Sequence, residues 1–385
     1  MYQRVAPFII STALISMNLD AWGSSSNPRI QPNPVQEPAK PVQKPTLKVQ
    51  EPVQIVREKP QKPLPDDDRY GLLQIDYLFR KPYQEDINFV LESTIAPGTD
   101  TLLNIKYRPK SPHFHLSSGV RVALGGYTSD NWDVKLQGTY VPSHSSKHVD
   151  ADAVGVFSDT LDPSFFPITA GEQGTEATAH WKLHFGLLDL TLGRETGLTK
   201  KFFVHPFIGI RGAWIHERMK GFFRGNLPID SDYKYTNNVW GIGPRAGMHS
   251  SYYFAKNWSF QGGLSGSFIL GNFTAKQRLI HGVVNEMADV VIKSTLKDKQ
   301  QMIRANLDAS LGLGWDMWFN RNKNRVYIAL LCETSYWFGI NQLMDLNLSE
   351  VDFGPPARPQ SSLVAEKRHG DLAFFGGTLH FQLDF

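Results

Sequence analysis

The stretch Trp258-Ser-Phe-Gln-Gly-Gly-Leu-Ser-Gly-Ser-Phe-Ile-Leu270 has apolar residues or glycine at every second position and mostly small or polar residues between them. Residues two apart lie on one face of an extended chain, so the pattern indicates a β-strand with one apolar face. The run from Ile303 to Met317 alternates in the same way. Both runs exceed the roughly 5 to 6 residues usual for soluble strands and suit the roughly 9 to 11 that cross a bilayer at a tilt. We therefore predict transmembrane strands.

A third alternating run, Gly370-Asp-Leu-Ala-Phe-Phe-Gly-Gly-Thr-Leu-His-Phe-Gln-Leu-Asp-Phe385, ends the chain. Its apolar face continues to the last residue, as expected for a strand that closes a barrel in lipid. We expect its last apolar residues to be the signal that the barrel-assembly machinery binds, namely Phe385, Leu383 and Phe381.

Similar segments recur throughout residues 70–385 and predict an all-β fold, a transmembrane antiparallel β-barrel of about twelve strands. The predicted strands start near Gly71, Glu85, Thr101, Leu116, Asn131, Thr178, Lys201, Thr236, Asn257, Met302, Asn324 and Asp371. After the fourth strand, short and long connections alternate, which is typical of barrels with short periplasmic turns and long outer loops. The long loops are predicted at residues 142–177, 216–235, 272–301 and 341–370.

Tryptophan placement predicts two aromatic belts, one at each membrane surface. Four residues lie next to short turns and four next to long loops: Trp132, Trp258, Trp315 and Trp318, and Trp181, Trp214, Trp240 and Trp337. In two strands the alternation is less regular. A slip at residues 186–188 predicts a β-bulge, and in the strand from Tyr327 to Trp337 only Glu333 marks the inner face, which directs Cys332 toward lipid.

The N-terminal residues differ in character from the rest of the chain. Arg4 precedes an apolar run, and Ala21-Trp22-Gly23 has the small residues of a cleavage site, so residues 1–23 are predicted to be a secretory signal. Residues 24–69 are predicted to be a proline-rich periplasmic arm or linker. Within it, residues 27–65 contain ten of the 24 prolines and favour extended polyproline II. This segment is a candidate contact with peptidoglycan or a periplasmic protein, and equally a mere spacer.

Composition argues against several other classes of protein. The formal net charge of +3 is too small to indicate nucleic-acid binding, and a single cysteine excludes an internal disulfide framework. Gly241-Ile-Gly-Pro-Arg-Ala-Gly247 lacks nucleotide-loop spacing. Ser and His residues are plentiful, but no motif selects a nucleophile, so we expect neither an enzyme nor a cofactor. The loop group His144, His148, Asp150 and Asp152 is better explained as a hydrated loop than as a metal site.

A resemblance to known proteins rests on the order and spacing of several segments. They are Gly71–Lys81, Gly126–Tyr127, Trp132–Leu136, Leu188–Arg194, Pro206–Ile215, Gly241–Gly247 and the terminal strand. Together these segments resemble the Legionella-type major outer-membrane protein family, pore-forming barrels also found in environmental chlamydiae. The resemblance spans Tyr70 to Phe385 and implies an outer-membrane location and a pore. Legionella proteins of this type are thought to be disulfide-linked, whereas Cys332 allows at most one intermolecular bond; homo-oligomer formation is left open.

Charged residues on the polar strand faces are expected to line the lumen. Opposed basic and acidic rows could form a selective constriction, or could pair across strands and replace a hydrophobic core in a narrow barrel. The two signs are nearly balanced, so no ion preference is predicted. The strongest pore-lining candidates are Arg121, Lys135, Asp133, Asp189, Arg211, Arg245, Arg304, Asp308, Asp316 and Glu333, and further inward-facing groups are Arg80, Lys106, Asp76, Glu92 and Asp384.

The sequence therefore predicts an outer-membrane porin for passive diffusion of small hydrophilic solutes and ions, with membrane lipid and the barrel-assembly machinery as partners. The alternative is a structural or adhesive barrel with a plugged lumen, which binds host surface or cell wall through its long loops and proline-rich arm. A soluble secreted β-sandwich is a third, weaker interpretation.

Overall fold

The computed structural model describes residues 71–96, 104–128, 132–151, 160–163, 174–225, 230–285, 288–319, 324–348 and 363–385. The predicted signal (1–23) and proline-rich arm (24–69) lie outside these residues. None of the described residues form a helix long and apolar enough to cross a bilayer.

Strands account for most of the described residues, and none of those residues lies in a helix. In chain order they are β1 Leu72–Gln84, β2 Val90–Ala96, β3 Asn104–Lys110, β4 Ser117–Tyr127, β5 Trp132–Asp150, β6 Thr160–Pro163, β7 Gly174–Arg194, β8 Thr196–Gly197, β9 Phe202–Gly225, β10 Asp230–Tyr253, β11 Trp258–Asn285, β12 Ala288–Phe319, β13 Asn324–Trp337, β14 Met344–Leu348, β15 Leu363–Lys367 and β16 Leu372–Asp384.

Ten strands close into one antiparallel barrel, which confirms the predicted fold class. Each pairs with a neighbour on both sides, in the order β1, β4, β5, β7, β9, β10, β11, β12, β13 and β16, and β16 returns to β1. The closing seam runs from Leu72 opposite Asp384 to Gln84 opposite Leu372, and the backbones of Gly71 and Phe385 exchange two further hydrogen bonds of 2.8 and 3.0 Å. No barrel edge is left for lipid to meet.

The strand count is ten rather than about twelve because two predicted strands are not barrel strands. The segments near Glu85 and Thr101 form β2 and β3, which pair with each other, while β2 also pairs with β6. Each has only 7 residues, fewer than the roughly 9 to 11 that a tilted strand needs to cross a bilayer. They lie at the end of the barrel where the long connections are, called here the long-loop end.

Two of the four predicted long loops, 216–235 and 272–301, are mostly continuous strand, so those two loop predictions were wrong. β9 and β10 run for 24 residues each, β11 for 28 and β12 for 32. β5 likewise continues to Asp150. The strands extend well past a bilayer thickness at the long-loop end.

The sequence pattern did not reveal that these strands continue, because the apolar and polar faces of each strand change sides along its length. On β11 the outward side chains are apolar up to Leu270, which is 57% exposed, whereas farther along Lys276 and Arg278 point outward and Phe273 and Ala275 are buried inside. The alternation persists, but its apolar face changes sides. We call the region with apolar outward side chains the lipid band.

The same exchange explains the predicted bulge in β7, which is absent. The register between β7 and β9 is uninterrupted from Glu176 to Gly193. Leu183, Phe185 and Leu187 point inside and His184 points out. The irregular pattern therefore marks the edge of the lipid band and not an extra residue.

A packed apolar core fills the barrel beyond the lipid band. It includes Trp181 and Trp337, only 0% and 1% exposed, whose rings make edge contacts with Phe114 (4.9 Å between centroids) and Phe185 (5.4 Å). The prediction that these two tryptophans belong to an aromatic belt was wrong. At this level the belt contains the outward pair Trp214 and Trp240, which lie opposite each other on β9 and β10.

The segment from Gly339 to Met344, called here the capping segment, folds into the long-loop end. Ile340 and Leu343 are buried in the apolar core, and interior polar side chains bind its backbone. Asn237 donates to the Ile340 carbonyl at 2.9 Å and Gln277 to the Met344 carbonyl at 2.7 Å. Residues 341–344 of this segment had been predicted to lie in an outer loop.

Replacement of an inward tryptophan should cost far more stability than replacement of an outward one. Trp181→Ala removes a ring from the packed interior and should lower the free energy of unfolding by about 3 to 5 kcal/mol. Trp240→Ala leaves no internal cavity and should cost clearly less. Reversible denaturant unfolding in lipid vesicles measures both, and equal losses would contradict an apolar core inside the barrel.

Removal of Phe385 should impair assembly, because its backbone closes the seam against Gly71 and its side chain ends the apolar face. The measurement is the fraction of protein in outer-membrane fractions that shows a heat-dependent shift in gel mobility. Phe375→Ala is the matched control, since Phe375 is an outward phenylalanine in β16, the strand that Phe385 follows. Normal insertion after deletion of Phe385 would count against the assembly signal.

Candidate functional site

Within the lipid band the interior of the barrel is charged. Outward positions there are apolar, so alternation directs the polar residues of the same strands inward. The charged side chains belong to three groups, which lie at the closing seam, in the centre and near the short turns.

The seam group joins β1, β4, β13 and β16. Arg121 donates to Asp76 and to Glu333, each at 3.0 Å, and Arg80 also binds Glu333. His380 Nδ1 lies 2.8 Å from the second Asp76 oxygen. Asp76, Arg80 and Glu333 are buried, so these ion pairs connect the first and last strands inside the barrel as well as along the backbone.

The central group is built around a bidentate ion pair. Arg211 Nε and Nη2 bind the two oxygens of Asp189 at 2.7 and 3.0 Å, and its Nη1 reaches Asp308 at 2.7 Å. Arg245 approaches the same two carboxylates, at 2.6 Å from Asp189 and 3.7 Å from Asp308. Asn306 also accepts from Arg211 and donates to Asp308 at 3.2 Å. Two arginines thus share two carboxylates from four strands.

The short-turn group lies at the end of the lipid band nearest the short turns. Arg325 Nη2 is 3.1 Å from Asp316, and its Nη1 is 3.6 Å from Asp384. The Tyr253 hydroxyl donates to Asp316 at 2.8 Å. Arg325 also lies over the ring of Tyr327, 4.9 Å from its centroid.

A cavity of about 290 Å³ lies among these groups and is lined by side chains from all ten barrel strands. His205 and Asp133 meet at 2.5 Å on its wall, and Lys135 and His249 also face it. The cavity has room for several waters. Its lining is polar toward the short turns and becomes apolar at Phe185 and Phe374 beneath the capping segment.

The structure places eight of the ten pore-lining candidates on this cavity: Arg121, Lys135, Asp133, Asp189, Arg211, Arg245, Asp308 and Glu333. Asp316 lies in the short-turn group instead. Arg304 lies farther toward the long-loop end, 5.8 Å over the Phe273 ring, beside Gly339. Two other expected lumen groups, Glu92 and Lys106, are on β2 and β3 and therefore outside the barrel wall; Glu92 pairs with Lys110 at 2.9 Å.

Several interior residues were not among the sequence candidates. Arg325 is the most connected of them, and its position could have been found because it shares the parity of Glu333 on the same strand. His205 and His249 lie on strands whose inner faces carry few charges, so single-sequence alternation gave little reason to select them. Cys332 is exposed on the outer face, as predicted.

The structure also shows where the glycine-rich segment and the histidine-containing loop group lie. The glycine-rich segment 241–247 lies within β10, where a Cβ at Gly243 would collide with the Phe268 carbonyl oxygen of β11. His148 binds Asp150 at 2.9 Å on the outer surface. Among the described residues, no group of three or more His, Cys, Asp or Glu side chains could hold a metal ion; Asp152 lies outside those residues.

Loss of Arg211 should be strongly destabilising, because Arg245 alone would then have to neutralise both Asp189, which is buried, and Asp308. Arg211→Met should lower the free energy of unfolding by about 3 to 5 kcal/mol. Arg224→Met is the matched control, because Arg224 pairs with Glu176 at 2.8 Å but is 56% exposed; it should cost about 1 kcal/mol or less. Similar losses for the two variants would show that the central group is not a buried network.

Three kinds of comparison relate the chain to known proteins. A family model described as Legionella pneumophila major outer membrane protein precursor matches residues 73–385. No curated protein matches the chain.

Solved structures of outer-membrane proteins align with the chain at very low identity and low TM-score. Outer membrane protease OmpT from Escherichia coli is 8% identical, with a TM-score of 0.36, over 84% of this chain and 99% of that one. The toluene transporter TodX from Pseudomonas putida is 8% identical, with a TM-score of 0.28, over 83% and 89%. The attachment invasion locus protein Ail of Yersinia pestis is 9% identical, with a TM-score of 0.20, over 83% and 99%.

Proposed function

Because the chain belongs to the Legionella major outer-membrane protein family, and its barrel lies in the outer membrane, we propose that it is a porin for small hydrophilic solutes and ions. The observation that carries the proposal is the cavity at the level of the lipid band, which has room for several waters and is lined by residues from all ten strands, eight of which contribute charged side chains. A barrel interior with no transport role could be filled by side chains alone.

The charges on the cavity wall favour permeation without strong ion selectivity. Six Arg or Lys and five Asp or Glu side chains line it: Arg80, Arg121, Lys135, Arg211, Arg245 and Arg325, and Asp133, Asp189, Glu195, Asp308 and Glu333. Most are engaged in ion pairs across the lumen, so the wall carries alternating local fields more than a net charge.

The apolar core and the capping segment together act as a gate in this proposal. They lie on the route from the cavity to the long-loop end, and an apolar constriction excludes water and ions until it moves. The capping segment is the part that moves in this proposal. It is not a barrel strand, and side-chain hydrogen bonds from Asn237 and Gln277 join its backbone to the barrel wall.

The alternative function is a structural or adhesive barrel that does not conduct. The packed core beyond the lipid band is the observation that favours it, since Phe185 contacts both Trp337 and Phe374 across the lumen. Under either function we propose no catalysis, because the central carboxylates Asp189 and Asp308 are held by arginines. Contact of residues 27–65 with peptidoglycan or a periplasmic protein, and association into a homo-oligomer, remain further proposals.

Detachment of the capping segment should increase conductance. In planar bilayers we expect the wild-type protein to show small, infrequent discrete steps. N237A/Q277A removes the side-chain hydrogen bonds to the carbonyls of Ile340 and Met344, two of those that hold the segment, and should raise open probability at least several-fold.

The matched control is N238A/T274A, which alters outward residues on the same two strands and should behave like wild type. Silence of the inserted wild type and of both variants would contradict the porin and favour the non-conducting barrel. An equal increase in the control would exclude the capping segment as the gate.

A further inference from the structure

The outer surface just beyond the lipid band is basic on β7, β9, β10, β11 and β12. Strand register brings outward residues of these strands into rows. The row nearest the Trp214–Trp240 pair contains His184, His216, Asn238, Thr274 and Lys299. The row beyond it contains Lys182, Arg218, Thr236, Lys276 and Lys297.

A third row contains two direct pairings of like charge. Lys234 lies opposite Lys220 on one side and opposite Arg278 on the other, and the row is completed by His180 and Thr295. Like charges directly opposite in a sheet are destabilising. We call the surface formed by these three rows the basic patch.

No acidic side chain interrupts the basic patch. Its fifteen positions hold eight Lys or Arg, three His and four neutral residues. Within the part of the chain that the structure describes, none of the eight Lys or Arg makes an ion pair. The pKa of Lys234 is lowered, chiefly by the charge of Arg218 and further by Lys220, Arg278 and Lys276. The free protein therefore carries repulsion that a bound anion would relieve.

The position of the basic patch indicates where that anion comes from. Tryptophan rings prefer the level of lipid headgroups, and Arg218 lies four residues beyond Trp214, about 13 Å along the strand. The five strands span about 19 Å of barrel surface, four strand spacings. A wide, flat cationic surface at headgroup height fits multiply charged headgroups standing beside the barrel better than a ligand in a pocket.

From this geometry we propose that the basic patch binds the phosphate groups of the glycolipid in the outer leaflet of the membrane. Lysine and arginine side chains donate to phosphate oxygens, and arginine can do so in a bidentate manner. Binding attaches the extended strand region to the membrane surface and neutralises the repulsion among its cations.

The test uses the full protein in nonionic detergent with bisphosphorylated lipid A as the probe, and counts bound lipid by native mass spectrometry. K220Q/K234Q/K276Q removes three adjacent charges. Because each cation near an anionic lipid surface contributes roughly a factor of five, its affinity should fall by about 100-fold at low salt. Lipid A lacking both phosphates should bind the wild type about as weakly.

The matched control, K147Q/K201Q/K256Q, removes three exposed lysines outside the basic patch and should retain wild-type affinity. Both triple variants should keep the heat-dependent gel shift of a folded barrel, since only surface charges change. Equal loss in the two variants, equal binding of phosphorylated and dephosphorylated lipid, or preferential binding of a sulfated polysaccharide over lipid A would each overturn the proposal.

Discussion

The hydrocarbon core of the membrane imposes the constraint on which this structure depends, because backbone groups there have no water to bind. Ten antiparallel strands satisfy it by closing on themselves, with the β1–β16 seam as the last pairing. The seam is reinforced inside the barrel, where Arg80 and Arg121 meet Glu333. Backbone hydrogen bonds and interior ion pairs thus both stabilise the closing seam of the barrel.

A second consequence of the same constraint is the exchange of polarity at the edge of the lipid band. Inside the band, lipid removes the need for an apolar interior, so the lumen can hold charges that satisfy one another. Beyond it, water surrounds the barrel and the strands fold as a soluble sheet would, with apolar residues packed inside. The same strands therefore enclose a charged cavity where lipid surrounds the barrel and an apolar core where water surrounds it.

The sequence predicted the part of the fold in which apolar outward residues alternate with polar inward residues, which is the part surrounded by lipid. Outward residues such as Leu264 and Leu311, and the inward position of Glu333, follow from period two alone. The strand extensions were not predictable in this way, because an inverted pattern such as Tyr233-Lys-Tyr235 resembles a polar loop. Trp181 and Trp337 were misplaced for the same reason, since an interface and a buried core both favour tryptophan.

The sequence predicted which residues of the candidate site face the lumen, but not which of them form ion pairs with each other. Alternation selected Asp189, Arg211 and Asp308 as inward groups, yet it could not show that one arginine holds both carboxylates. That depends on which strands become neighbours across the lumen, and on β2 and β3 being excluded from the wall. The capping segment was unpredictable because its burial depends on Asn237 and Gln277, which are distant in sequence.

Site-directed spin labelling along β11 tests the polarity exchange most directly, with labels introduced one at a time into a Cys332→Ser protein in vesicles. We expect labels at 260, 264 and 268 to be accessible to oxygen dissolved in lipid, and labels at 276 and 278 to a water-soluble nickel complex. Labels at 273, 275 and 279 should be shielded from both. Free access of the nickel complex to those three positions would contradict an apolar core inside the outer part of the barrel.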